Sequence, residues 1–316
     1  MGLYPKSLEA MVAAEVGGPF SNVVVLDPVN GVDTYSGNSL EKPVKTLAAA
    51  WAKVTANQND VIAIVGTATA VEIAAAFAWN KSYTHLIGLT ADIPGVGQRA
   101  RLVGTATLDA DYIMTISGDG CIFKNIQWMN EGDADEDSGA VILTGMRNHF
   151  ENCMISGMGA TTPAARAGGY SLHINGGREN VFKRCSIGLQ TIIRTAANTE
   201  LKFSGVCYRN KFIDCEFLSW SVTAGKLLVS FAADASPWST QFEDCLFANL
   251  DMSAGGADGA SIDNAFGDSS TFKHQVILRG HAQFVGCTGV ADTLTNIFSA
   301  EPVPATGFGI SVNPAA

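Results

Sequence analysis

One motif returns along most of this chain: a phenylalanine, two residues, a cysteine, one residue, then a large apolar side chain. Phe123, Phe150, Phe182, Phe212, Phe242 and Phe284 are separated by 27, 32, 30, 30 and 42 residues. Five of them lead to a cysteine three residues on, at Cys153, Cys185, Cys215, Cys245 and Cys287. Four of these cysteines are followed by Ile155, Ile187, Phe217 or Phe247. Self-similarity at this period marks a stack of small units, none of which can bury its apolar face alone.

The units read as strands. Short apolar runs ending in glycine precede most copies, as in Ile113–Gly118, Val141–Gly145, Leu172–Gly176, Leu201–Gly205 and Val276–Gly280. Cys153 and Ile155 alternate with their neighbours as one face of a strand requires, whereas the three-residue step from phenylalanine to cysteine breaks that alternation and predicts a bend. Asn125, Asn152, Asp214 and Asp244 fall at the bend, and Asn and Asp tolerate left-handed backbone. None of the repeats carries a run of ten or more residues with a 3.6-residue period, which excludes a helical array. The expected fold is all-β: a right-handed parallel β-helix, with variable loops 129–140, 157–169, 219–226 and 248–274 leaving fixed points of the coil.

The first hundred residues differ. Val23–Leu26 and Asp60–Val65 read as strands, and Pro43 opens a predicted helix with Leu47, Ala50, Trp51 and Val54 on one face. A β-helix exposes its core at its ends, so this helix is expected to cap the N-terminal end. The string Asp27-Pro-x-Asn-Gly-x-Asp33, then Ser36-Gly37, Pro43, Lys45-Thr46-Leu47, Ala50 and Asp60-x-Ile62-x-Ile64, resembles the opening of pectate-lyase-like right-handed β-helix proteins. Thr84–Leu89 followed by Arg99–Leu102 is similar to early coils of phage β-helix proteins. The resemblance covers roughly residues 22–290. It implies the fold, and it implies a homotrimeric bacteriophage virion protein or a polysaccharide-active one; fold alone does not decide between them. The expected organisation is an N-terminal arm over 1–20, cap and first coils over 21–110, regular coils over 111–290, and a tail over 291–316. The arm carries Leu8, Met11, Val12 and Val16 at helical spacing and reads as a docking segment or an end cap.

A net charge of −10 argues against nucleic acid as a partner, since phosphate binding needs clustered cations. There is no stretch of 18 apolar residues to span a membrane, and the N-terminus lacks the apolar core of a signal peptide. The expected location is a virion assembled in a host cytoplasm. Charged residues make up only 16% of the chain, which suits a rod whose sides neighbouring subunits cover.

The five repeat cysteines point inward as small apolar groups, with parallel Cβ vectors that do not favour disulfides; no Cys-x-x-Cys suggests zinc. Cys121 and Cys207 fall off this ladder. Asp133, Asp135 and Asp137 resemble half of a calcium loop, but Gly139 comes one residue late and Thr144 stands where a bidentate Glu belongs, so a solvated acidic loop is expected. Asp214 and Asp244, one coil apart, have the spacing for a glycosidase carboxylate pair, set against a purely structural corner role. His173 and Arg194 are expected to face outward, and Trp128, Trp220 and Trp238 to serve sugar stacking or subunit contacts. No residue is assigned a catalytic role and no cofactor is expected. The reading is a non-catalytic capsid-decoration or head-fibre β-helix contacting other virion proteins such as the major capsid protein, and a surface glycan as a further partner. The alternative is a tail-associated carbohydrate-binding or depolymerising spike.

Overall fold

Each copy of the repeat folds into three short strands around a three-sided coil, and successive coils stack. The computed structural model describes residues 22–91, 100–105, 112–132, 139–221, 225–236, 238–250, 262–267, 273–291 and 295–299, with Val12 and Thr223. Sheet A has ten strands from Val23–Leu26 to Ile297–Ser299, sheet B eight from Val71–Glu72 to Gln283–Val285, and sheet C six from Phe77–Trp79 to Leu227–Phe231. One coil runs through Gly139–Leu143 in sheet C, His149–Glu151 in sheet A and Met154–Ser156 in sheet B, then returns to sheet C at Leu172–Asn175. Strands pair in parallel with their equivalents one coil away; Phe150 lies between Phe123 and Phe182.

That register turns the sequence repeat into ladders. Phe123, Phe150, Phe182, Phe212 and Phe242 stack with ring centroids 4.7, 4.5, 4.6 and 5.0 Å apart, all fully buried. Large-to-small substitution in such a row costs on the order of 3–5 kcal/mol per ring. Phe284 stands elsewhere. It pairs with Phe247 in sheet B, 5.0 Å ring to ring, and Leu278 takes the next place after Phe242. Cys287 likewise leaves the cysteine row and pairs with Ile262. The 42-residue spacing therefore marks a decayed last copy, Leu278-Arg-Gly-His-Ala282, and not a sixth rung of the same ladder.

The corner from sheet A to sheet B is a single left-handed residue. Asn125, Asn152, Arg184, Asp214 and Asp244 have φ of 57, 51, 52, 54 and 53°, so the predicted bend is present, with one arginine in the series. Just past it, each ladder thiol donates to the carbonyl of a phenylalanine in the preceding coil: Cys153 to Phe123, Cys185 to Phe150, Cys215 to Phe182 and Cys245 to Phe212, at 3.4 to 3.6 Å. Cysteine suits the place because it is small, apolar and still a weak donor.

A second ladder precedes the phenylalanines by two residues. Asn148, Asn180 and Asn210 are buried, and each amide satisfies main-chain groups of adjacent coils. Asn148 N–H donates to Asn180 Oδ1 at 2.9 Å and Asn180 N–H to Asn210 Oδ1 at 3.1 Å. Their side-chain amides donate to Gly118, Gly145 and Gly177 carbonyls. Cys121 occupies this row in the first copy, its N–H donating to Asn148 Oδ1 at 2.8 Å, and Cys207 is buried nearby with its thiol on Ser204 O.

The N-terminal end is closed by a short helix, Leu47–Trp51, whose Leu47 and Ala50 join the main core. It begins at Thr46, not at Pro43, because Val44 is engaged in a parallel bridge with Leu26. The Asp27-to-Asp33 string builds this entry. Asp27 Oδ1 accepts the N–H groups of Val29 and Asn30, and Asp33 Oδ1 accepts those of Lys45 and Thr46. Gly31 is obligatory, since a Cβ there would meet the carbonyl oxygens of Val44 and Asp27 at 2.3 and 2.4 Å. Val12 is buried on the outer face of sheet A with Val23, Val61, Ala63 and Ile87. The rest of segment 1–20, the tail 301–316 and Asp133, Asp135 and Asp137 lie outside the described residues.

Candidate functional site

Three surfaces gather polar side chains. The first is a groove along the sheet A to sheet B corner, about 370 Å³, lined by Arg184, Ser186, Asp214, Glu216, Asp244 and Gln283 over the backs of Cys185, Cys215 and Cys245. The two carboxylates singled out in the sequence thus do share a site, joined there by Glu216. Their local duties are structural. Asp214 and Asp244 supply the left-handed corner, Asp244 Oδ1 accepts His281 N–H at 2.8 Å, and Ser186 Oγ donates to Glu216 at 3.2 Å. Arg184 reaches away to Glu151 at 2.7 Å, where Lys124 and Lys183 also pair; these cations hold the Glu151 carboxyl below its usual range against the opposing pull of burial. Among the described residues no group of three His, Cys, Asp or Glu side chains is arranged to hold a metal ion.

The second surface is the outer face of sheet C, where Thr115, Ile142, His173, Lys202 and Ser230 stand in register. His173 does face outward, as expected. Its Nε2 lies 2.6 Å from Ser204 Oγ, which donates to Asn175 Oδ1 at 3.1 Å, and its ring meets Tyr170 edge-on at 5.2 Å. Ser204 is nearly buried, so its hydroxyl bridges neighbouring strands and is poorly placed as an attacking nucleophile.

Arg194 does not face outward. It is fully buried with Glu200 and Lys226 where sheet B turns to sheet C. Glu200 Oε1 lies 3.3 Å from Arg194 Nε and 2.9 Å from Lys226 Nζ, and Oε2 accepts Ser171 Oγ at 2.6 Å. Arg194 also donates to the carbonyls of Met158, Ile192 and Leu189, tying the 157–169 loop to its own strand Ser186–Arg194. Burial would raise the Glu200 carboxyl, but Lys226 and Arg194 hold it low; burial pulls Lys226 down to about 8. The irregularity between Leu189 and Ile193 reverses the alternation that had predicted an outward Arg194.

The third surface lies at the turn from sheet C to sheet A. Parallel bridges align Met146, Arg178 and Tyr208 on consecutive coils, and Trp238 follows, 5.7 Å from Tyr208 ring to ring. Trp238 is 57% exposed, whereas Trp128 is a core residue between Leu102 and Ile155, unavailable to sugar or subunit. The sequence carries a signal for this surface and for the asparagine ladder: the repeat extends upstream as Asn-x-Phe-x-x-Cys, with Arg147, Glu179 and Arg209 one place earlier still.

No family model and no curated protein matches the chain. Solved structures do. Pectate lyase Pel9A superposes with a TM-score of 0.57 at 15% identity, over 96% of this chain and 83% of that one. The fold is that of a pectate-lyase-like right-handed parallel β-helix. ORF18 of Geobacillus virus E2 shares it, with a TM-score of 0.55 and 11% identity over 89% of this chain. The chain spans about half the length of that viral protein, 54%. At such identities the likeness concerns the β-helix alone.

Proposed function

We propose that this protein is a non-catalytic structural β-helix of a bacteriophage virion, a capsid-decoration or head-fibre element, working as a homotrimer against other virion proteins such as the major capsid protein. One observation carries the reading: among the described residues the thiols, the corner carboxylates and the buried ions are engaged in contacts that hold the coils. Each of the seven thiols donates to a backbone carbonyl. The corner carboxylates hold turns, and the buried Arg194–Glu200–Lys226 group locks loops. The likeness to a viral open reading frame product supports the same direction. Its work is mechanical, a stiff rod whose loops and ends remain for partners.

The second reading is a tail-associated spike that binds or depolymerises carbohydrate. The corner groove with Asp214, Glu216 and Asp244 favours it, as does the likeness to pectate lyase Pel9A. Incubating the purified protein with host capsule and lipopolysaccharide separates the two; intact polymer is expected, and released oligosaccharides would establish the spike. Light scattering tests the trimer, with roughly 100 kDa expected for three 33.1 kDa chains and a persistent single-chain mass as the contrary result.

A further inference from the structure

The turn from sheet C to sheet A carries an aromatic and guanidinium surface that the ladders do not use. Arg178, Tyr208 and Trp238 occupy equivalent places on three consecutive coils, so the row spans two coil steps, about 10 Å, along the rod. Trp238 turns 57% of its surface to solvent, and Val206 beside the row is 48% exposed. The Arg178 guanidinium lies 5.3 Å from the Tyr208 ring centre, and that of Arg209 lies 6.0 Å away. Arg178 Nε is held by the Val206 carbonyl at 3.3 Å, and among the described residues no carboxylate pairs with Arg178. Arg147 and Arg209 share Glu179 at 2.8 and 3.2 Å. Three guanidiniums thus stand against Glu179 and the nearby Asp234, a cationic spot on a chain of net charge −10.

We infer that this row binds an anionic glycan along the rod axis. The open face of Trp238 takes the apolar face of one sugar ring, because tryptophan combines a flat apolar surface with tolerance of a wet surround. Arg178 meets the carboxylate or sulfate of the adjoining sugar, since a planar fork of donors matches those groups. The groove of carboxylates lies at a different corner, so this site is separate from it. The inference holds whether the rod decorates a head or forms a spike, and its failure would leave the virion reading untouched.

Tryptophan fluorescence and calorimetric titration of the full-length protein test it, with an oligogalacturonate, a heparin-derived tetrasaccharide and neutral maltotetraose as probes. Saturable binding of at least one anionic probe, with maltotetraose at least tenfold weaker, is expected; the two anionic arms separate carboxylate from sulfate. Trp238→Ala and Arg178→Gln should each weaken that binding at least tenfold with the melting temperature unchanged. Arg178→Gln keeps the test valid if Trp238→Ala fails to fold. Equal binding of the neutral probe, no binding of either anionic probe, or binding unaffected by both substitutions would overturn the inference. So would loss of the oligomer in Trp238→Ala, which would make the row a contact between copies.

Discussion

Asn180 is the residue where the economy of this fold is easiest to see. Its Oδ1 accepts Asn148 N–H, and its Nδ2 donates to Gly145 O at 3.1 Å and Asn210 Oδ1 at 3.1 Å. One buried amide therefore satisfies groups on both neighbouring coils. Asn180→Ala strands Asn148 N–H and Gly145 O away from water, and buried unsatisfied groups cost about 1–3 kcal/mol each. A loss of about 2–4 kcal/mol in urea unfolding is expected; a change under about 0.5 kcal/mol would contradict the ladder's role. The same logic explains the cysteines. The repeat draws attention to sulfur chemistry, but burial pushes the thiols of Cys153 and Cys215 well above their usual range, and Cys207 and Cys287 to about 11 and 12. Cys185 lies in the same buried row, its thiol on the Phe150 carbonyl. Small size and a weak donor are what the corner needs.

At the scale of elements, strands were legible wherever alternation ran unbroken. Phe150, Cys153 and Ile155 faced inward as read, and the left-handed corners at Asn125, Asn152, Asp214 and Asp244 followed from residue type. Arg194 turns inward, against expectation, because an irregularity in Ser186–Arg194 inverts the parity that outward placement assumes. Neither Glu200 nor Lys226 carries a sequence mark of its partners, 6 and 32 residues from Arg194, since their contact depends on coil geometry. Removing one member of a buried ionic group leaves the others uncompensated, typically at a cost of about 3–5 kcal/mol. Glu200→Gln is therefore expected to lower stability by about that amount and to expose segments 157–169 and 222–226 to limited proteolysis. Wild-type stability and an unchanged cleavage pattern would show the group to be incidental.

The whole molecule is a stack held by apolar ladders, and its buried ionisable groups set how it responds to acid. Burial pulls His85 and His274 down to about 4 from an ordinary 6.5, with His274 donating Nδ1–H to Ser236 O and its ring lying beside both Phe203 and Phe231. In the unfolded chain these imidazoles take up protons first, so stability is full above about pH 6.5 and falls as pH drops toward 4, by on the order of 3 kcal/mol for each histidine. Asp27, Asp33 and Glu200 act in the same direction at lower pH. Burial would raise each, but hydrogen bonds to Asp27 and Asp33 and the cations beside Glu200 hold them low, so their contribution is lost as pH falls below the usual carboxylate range. The melting temperature should therefore drop steadily from pH 7 to pH 4, and a rise on acidification would refute these assignments. The architecture was legible in the sequence because stacking repeats one environment in every coil. The Asp214 and Asp244 pair was legible as corners one coil apart, whereas the buried ionic group was not, because Lys226 lies 32 residues from Arg194 and their meeting on Glu200 depends on register. What unites these scales is that the Phe-x-x-Cys repeat builds a rod and carries no sulfur chemistry. A thiol titration without reductant tests this most directly. The account predicts no fast-reacting thiol in the native protein and all seven after denaturation; fewer than seven on denaturation, or a fast native reaction, would contradict it.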